Sequence, residues 1–168
     1  MNHEKFIDSA KKSKFGLWKL NFFLSRLIPF NKPHGIVIKK IEDDGIETII
    51  PYKRKNLNHI KGVHACGMAT CAEFASGFLL ISKLGFKNYR LIMESIEVKY
   101  HYQAKTDIIA KFNISTEWMN TQILNPIKKD GVVFVKCEIN LFDTANNHVA
   151  TAYTNWQIKD WQKVKTKV

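Results

Sequence analysis

The run NHIKGVHACGMATCAEFASGFLLIS, residues 58–82, decides the fold. From Ala65 to Leu84 apolar or small residues occupy every side of a helical wheel, and between His64 and Ser82 the one charge is Glu73. A surface helix needs a polar face, which this one lacks, so its whole circumference must be covered. Residues 65–82 reach the length of a minimal membrane span. Their small residues and central carboxylate are expensive in lipid, which favours a core helix. A sheet wrapped around the helix is expected, and a second sheet from another subunit would complete the burial.

The flanking sequence supplies that sheet. Ahead of the helix, Ile36–Ile41 and Ile46–Tyr52 read as strands joined by Glu42-Asp43-Asp44-Gly45, whose Asp-Gly pair signals a hairpin. A polar loop, Lys53 to Val63, leads into the helix. After it the period becomes two: Ile96, Val98, Tyr100 and Tyr102 alternate with polar residues, and Ile108, Ala110, Phe112 and Ile114 repeat the pattern. A less regular stretch, Thr116 to Gly131, predicts a short helix. Val133, Val135, Cys137, Ile139 and Leu141 form a long strand, and a turn at Thr144–Asn147 leads to a last one, His148–Ile158. About six antiparallel strands around one long helix make an α+β fold.

The N-terminal run SKFGLWKLNFFLSRLIPF, residues 13–30, predicts an amphipathic helix ended by the Pro29–Pro33 region. Its expected role is packing against the sheet, with contact to a membrane surface as the lesser alternative. Lys19 and Arg26 interrupt its apolar part, so it is not read as a secretory leader. The expected organisation is an N-terminal helical extension (1–33), one main domain (34–160) and a basic tail (161–168).

At 168 residues the chain can bury a substantial core without staples. Cys66, Cys71 and Cys137 are an odd number within apolar patterns, which predicts reduced core residues and a cytoplasmic setting. The 26 basic and 15 acidic residues give a net charge of +11, which favours an anionic partner. The basic residues are scattered, and no nucleic-acid-binding signature accompanies them, so a small polyphosphate ligand is expected and nucleic acid is not. His59 and His64 lie five apart without a further ligand at metal spacing, so no metal is expected.

A carboxylate in an apolar helix must be paired, protonated or functional. No cation lies one helical turn from Glu73: positions 69, 70, 76, 77 and 80 are Ala, Thr, Ser, Gly and Leu. The bland reading is a glutamate capped by a distant strand residue or facing a water channel. Asn58, Gly62 and His64 stand just before the helix N-terminus, whose unpaired N–H groups and partial positive charge suit an oxyanion. Cys66 and Cys71 beside His64 also admit a thiol nucleophile, but core filling is the expected role of both.

The run N-H-I-K-G-V-H-A-C, with a carboxylate nine residues after His64, resembles the hotdog-fold acyl-CoA thioesterases. It is most similar to the branch related to the phenylacetate-pathway enzymes, whose pattern is Asn, Gly, His-Gly-Gly and an acid on the long helix. The strand order read above is the hotdog order, so the resemblance covers about residues 34–158. The N-terminal helix and the closing N-W-Q-I-K resemble a poorly characterised subgroup of the same superfamily. The resemblance implies that Glu73 acts as general base or nucleophile and that Asn58 and His64 position thioester or water. It also implies that the N–H of Ala65 polarises the carbonyl. Two departures stand out: Ala65-Cys66 replaces Gly-Gly, and the preceding glycine, Gly62, lies closer to the histidine.

The expected activity is hydrolysis of an acyl-CoA or acyl carrier protein thioester, with coenzyme A as part of the substrate and no separate cofactor. Gly62, Lys61, Arg90, Lys99 and Lys105 are the expected substrate contacts, the four cations from net charge alone. A non-catalytic acyl-thioester binder is the rival, and a hotdog dehydratase fits less well. The nine residues from His64 to Glu73 turn a helix by about 900° and rise by about 13 Å, so both groups cannot meet one thioester from one chain. A homodimer with shared sites, or a tetramer built from it, is expected.

Overall fold

The computed structural model describes residues 3–164. The basic tail expected at 161–168 lies partly outside them; within, Trp161–Lys163 form a short 3-10 turn. The N-terminal part contains α1 (His3–Lys12), α2 (Lys14–Leu27) and α3 (Asn31–His34). Strands β1 (Val37–Ile41) and β2 (Gly45–Ile50) precede the long helix α4 (Ala65–Leu84). Then come β3 (Tyr89–Tyr100), β4 (Ile108–Asn113), α5 (Thr116–Met119), a π turn at Asn120–Leu124 and α6 (Asn125–Asp130). The strands β5 (Val132–Asp143) and β6 (His148–Asp160) complete the domain.

The six strands form one antiparallel sheet in the order β1-β2-β4-β5-β6-β3. Helix α4 packs against β2, β3, β4, β5 and β6, which is the hotdog arrangement the sequence leads one to expect. The strands turn their alternating apolar side inward: Ile108, Ala110 and Phe112 on β4, Val135, Cys137, Ile139 and Leu141 on β5 are all buried. Two polar ties fix the helix within this wrap. Thr48 Oγ1 donates to the Cys71 carbonyl at 2.8 Å. Trp156 Nε1 donates to Ser76 Oγ and Thr154 Oγ1, both at 3.0 Å, in a buried knot between α4 and β6.

Helix α4 ends at Gly85, whose φ of 86° is favourable to glycine. The β1–β2 hairpin forms where its Asp-Gly pair signals, but Gly45 does not have a positive φ. A Cβ there would meet the end of the exposed Asn113 side chain on β4, which would have to turn aside.

Three details depart from the sequence reading. The predicted N-terminal helix begins where expected, with Ser13 capping α2 through the Gly16 amide at 2.9 Å, but another helix precedes it. Strand β3 begins seven residues earlier than Ile96, because its pairing with β6 continues through Tyr89↔Asp160. The Thr116–Gly131 stretch is helical nearly throughout rather than holding one short helix. Helix α2 does pack on the sheet, at its edge: Asn21 Nδ2 donates to the Ile38 carbonyl at 2.8 Å and its Oδ1 accepts the Ile38 amide at 2.9 Å. The outer rim of β1 is thereby closed to further strands.

Candidate functional site

Along α4, Cys66, Thr70 and Glu73 succeed one another at helical spacing on a strip that the sheet leaves partly open. This strip answers why an apolar helix carries a carboxylate. Glu73 is only half-buried and lines a cavity of about 510 Å³. Its neighbours there include Leu24 and Leu27 of α2, the following Ile28, Arg90 of β3 and Trp156 of β6. No ion pair among the described residues involves Glu73. Burial, with no opposing cation, pushes its carboxyl above the ordinary glutamate value.

The helix start is built by the loop before it. His64 is the N-cap, with φ −65° and ψ 137°, and its Nδ1 accepts the Cys66 amide at 3.1 Å. The proton of a neutral imidazole therefore resides on Nε2. The Gly67 and Met68 amides donate to the His64 carbonyl at 2.9 and 3.2 Å. The Ala65 amide finds no acceptor among the described residues, which leaves it available as the donor the resemblance implies.

The expected site residues fall into three groups. Glu73 and Arg90 share the large cavity, where Arg90 Nη2 donates to Gln157 Oε1 at 3.2 Å and its buried Nε has no partner among the described residues. His64 lines a second cavity of about 260 Å³ with Cys66, Thr70, Asn56, His34 and Lys55. Asn58 and Ala65 line a third, of about 340 Å³, with Tyr100 and Tyr102. Asn58 Oδ1 is engaged by its own loop, accepting the Ile60 and Gly62 amides at 3.1 and 2.9 Å. Gly62 is buried in that loop and Lys61, at φ 59°, is exposed beside it. Lys105 is exposed in the connection after β3. Lys99 lies on the outer face of the sheet, 3.7 Å from Glu97 and over the Tyr153 ring, turned away from α4.

One residue carries more of this geometry than the sequence suggests. Asn56 is buried, and its Nδ2 donates to the His34 and Pro51 carbonyls, both at 2.8 Å. Its Oδ1 meets His34 Nδ1 at 3.0 Å, and its backbone carbonyl accepts the His64 amide at 2.7 Å. Nothing in Lys-Asn-Leu-Asn distinguishes Asn56 from Asn58. Cys66 also departs from expectation: Cys71 and Cys137 are buried, with thiols pushed up to about 12 by burial, but Cys66 is exposed beside His64. It sits in the first turn, on the strip the sheet leaves open.

No curated protein matches this sequence. Among solved structures, PA5026 of Pseudomonas aeruginosa, described as a protein of unknown function and probable thioesterase, superposes with a TM-score of 0.74 at 20% identity. The match covers 81% of this chain and 90% of that one. Thioesterase HI1161 of Haemophilus influenzae gives a TM-score of 0.70 at 13% identity, over 92% of this chain and 98% of that one. OLEI01261 of Chlorobaculum tepidum, of unknown function, gives 0.74 at 15% identity, over 84% and 92%. At such identities the likeness establishes the fold. The profile of one family, described as "domain of unknown function (DUF4442)", matches residues 16–158. The chain is therefore a hotdog-fold protein that belongs to the DUF4442 family.

Proposed function

We propose that this protein hydrolyses an acyl thioester of coenzyme A or of an acyl carrier protein to the free acid and the thiol. The observation that carries the reading is the half-buried Glu73 carboxylate, unpaired by any cation among the described residues, facing a cavity from the middle of the central helix. Its raised pKa brings it closer to the operating range of a general base. As a base it takes a proton from water while the hydroxide adds to the thioester carbonyl. As a nucleophile it adds to that carbonyl itself, and water then cleaves the mixed anhydride. On either route the C–S bond breaks and the thiolate leaves with a proton. The Ala65 amide, at the positive end of α4, stabilises the oxyanion. His64, the N-cap of the same helix, is assigned the positioning of thioester or water. The thioesterase descriptions of two solved relatives support thioester chemistry in general.

Within one chain Glu73 and Ala65 line different cavities. We place the working site between two subunits, with the amide of one chain opposite the carboxylate of its partner. The free edge of β3, paired to β6 on its other side alone, supports such an assembly, because its twelve residues can continue the sheet into a second copy. Arg90, within the Glu73 cavity, and Lys55, within the His64 cavity, are suited to the phosphates of the carrier.

A second reading is a binder without turnover. It is favoured by Ala65-Cys66 in place of Gly-Gly and by the engagement of Asn58 with its own loop. Thiol release from short, long and aromatic acyl-CoA substrates separates the two. Hydrolysis lost in Glu73→Ala supports catalysis; acyl-CoA bound by both proteins without thiol release supports the binder.

A further inference from the structure

Helix α2 uses one face for the fold and leaves another outside. Gly16, Leu20 and Leu24 are buried, and Asn21 holds the β1 edge. On the outer side Phe15, Trp18 and Phe22 are 63%, 58% and 50% exposed. Their rings stack in series, with centroids 5.9 and 5.5 Å apart. Leu27 and Phe30 extend the exposed apolar surface beyond them. Cations cover the ladder: Lys19 Nζ is 4.3 Å from the Phe15 ring centre, and the Arg26 guanidinium is 3.6 Å from that of Phe22. A contiguous patch of large aromatic rings at a protein surface marks a place that something else covers.

Charge identifies what fits. Residues 9–41 hold eight lysines and arginines and no aspartate or glutamate. Among the described residues no ion pair involves Lys12, Lys14, Lys19, Arg26 or Lys32. A second copy of the chain seated on this face would set this basic stretch against itself. We propose that the outer face of α2 docks on an anionic lipid surface. Its aromatic rings enter the headgroup region, where amphipathic rings are favoured, and its lysines and arginines meet lipid phosphates. Leu24, Leu27 and Ile28 at the end of the same helix wall the Glu73 cavity, so docking brings that cavity close to the bilayer. The surface stands independently of the catalytic reading, because its readout is binding.

The test uses the full chain and phosphatidylcholine vesicles with and without phosphatidylglycerol. Co-sedimentation is expected with the anionic vesicles alone and should fall as salt is raised. Lys19→Glu/Arg26→Glu should weaken it by about fivefold or more per site. Trp18→Ala/Phe22→Ala should weaken it by about tenfold or more. Should that pair melt early, Trp18→Phe keeps the ladder and should bind while losing the part of tryptophan quenching by brominated lipid that Trp18 supplies. Wild-type protein that ignores anionic vesicles, or variants that bind as wild type, overturn the proposal. So does a ladder variant that alters self-association or oligonucleotide binding while vesicle binding stays unchanged.

Discussion

Replacing Ala65 with proline deletes one hydrogen-bond donor and little else. Ala65 is the first residue of α4, where proline's fixed φ suits the helix and its missing N–H removes no intrahelical bond. His64 already has the extended conformation, φ −65° and ψ 137°, that a residue before proline requires. The amide donates to nothing among the described residues, and the Tyr100 hydroxyl keeps its 3.0 Å bond to the Ala65 carbonyl. Stability should therefore change by no more than about 0.5 kcal/mol, or rise by about 0.4–1 kcal/mol as the unfolded chain loses freedom. Catalysis should respond differently. Loss of one oxyanion donor lowers kcat by about 100- to 1,000-fold, about 2.7–4 kcal/mol of transition-state stabilisation. Because that donor acts on the charge developing in the transition state, KM should change little. Thiol-release kinetics beside a thermal melt measure both effects. Wild-type kcat in a normally melting Ala65→Pro protein refutes the role given to this amide.

Further predictions concern the neighbours of Glu73 and His64. Glu73→Gln should lower turnover by about 100-fold or more. In the wild type the rate should fall on acidification through a pKa above that of an ordinary glutamate, and a pH–rate profile checks this. Since burial raises that pKa in the fold, the stability linked to it is present below the unfolded-state value of about 4.3 and lost as pH rises through the folded one. Glu73→Gln should therefore gain in Tm relative to wild type as pH is raised to neutral. Gly77→Ala sets a Cβ 2.8 and 2.9 Å from two carbons of a Trp156 ring pinned through Nε1. Overpacking of about 1–3 kcal/mol against a helix-propensity gain of about 1 kcal/mol predicts a net loss of about 1 kcal/mol. Tm should drop by about 2–4 °C, and calorimetry in a Trp156→Phe background should find the penalty gone. Asn56→Ala strands two carbonyls and the His34 ring nitrogen, so denaturant unfolding should register a loss of about 2–3 kcal/mol or more.

The frame of the molecule was legible because its signals are local. An all-round apolar helix with one carboxylate demanded enclosure, and period-two strands supplied the enclosing sheet. Helix α4 spans the expected Ala65–Leu84, and the Glu73 environment follows from the absence of a cation one turn away. What escaped depends on contacts distant in sequence. Asn56 and Asn58 look alike locally, yet one is buried against His34 and Pro51 while the other closes its own loop. Cys66 belongs to an apolar run but falls on the open strip of the helix. Charge alone groups Lys99 with Lys61, Arg90 and Lys105, and alternation along β3 turns it to the far side of the sheet. The α2 run reads as an amphipathic helix that packs on the sheet, but which face does so is set by the Asn21 clamp on β1, which leaves the aromatic ladder outside.

Subunit mixing tests the central claim most directly. Ala65→Pro and Glu73→Ala proteins, each strongly impaired alone, are combined under conditions that exchange subunits, and thiol release is followed as heterodimers form. A site made from the amide of one chain and the carboxylate of its partner predicts that each heterodimer regains one working site of two. Demonstrated exchange without recovered thiol release contradicts that arrangement.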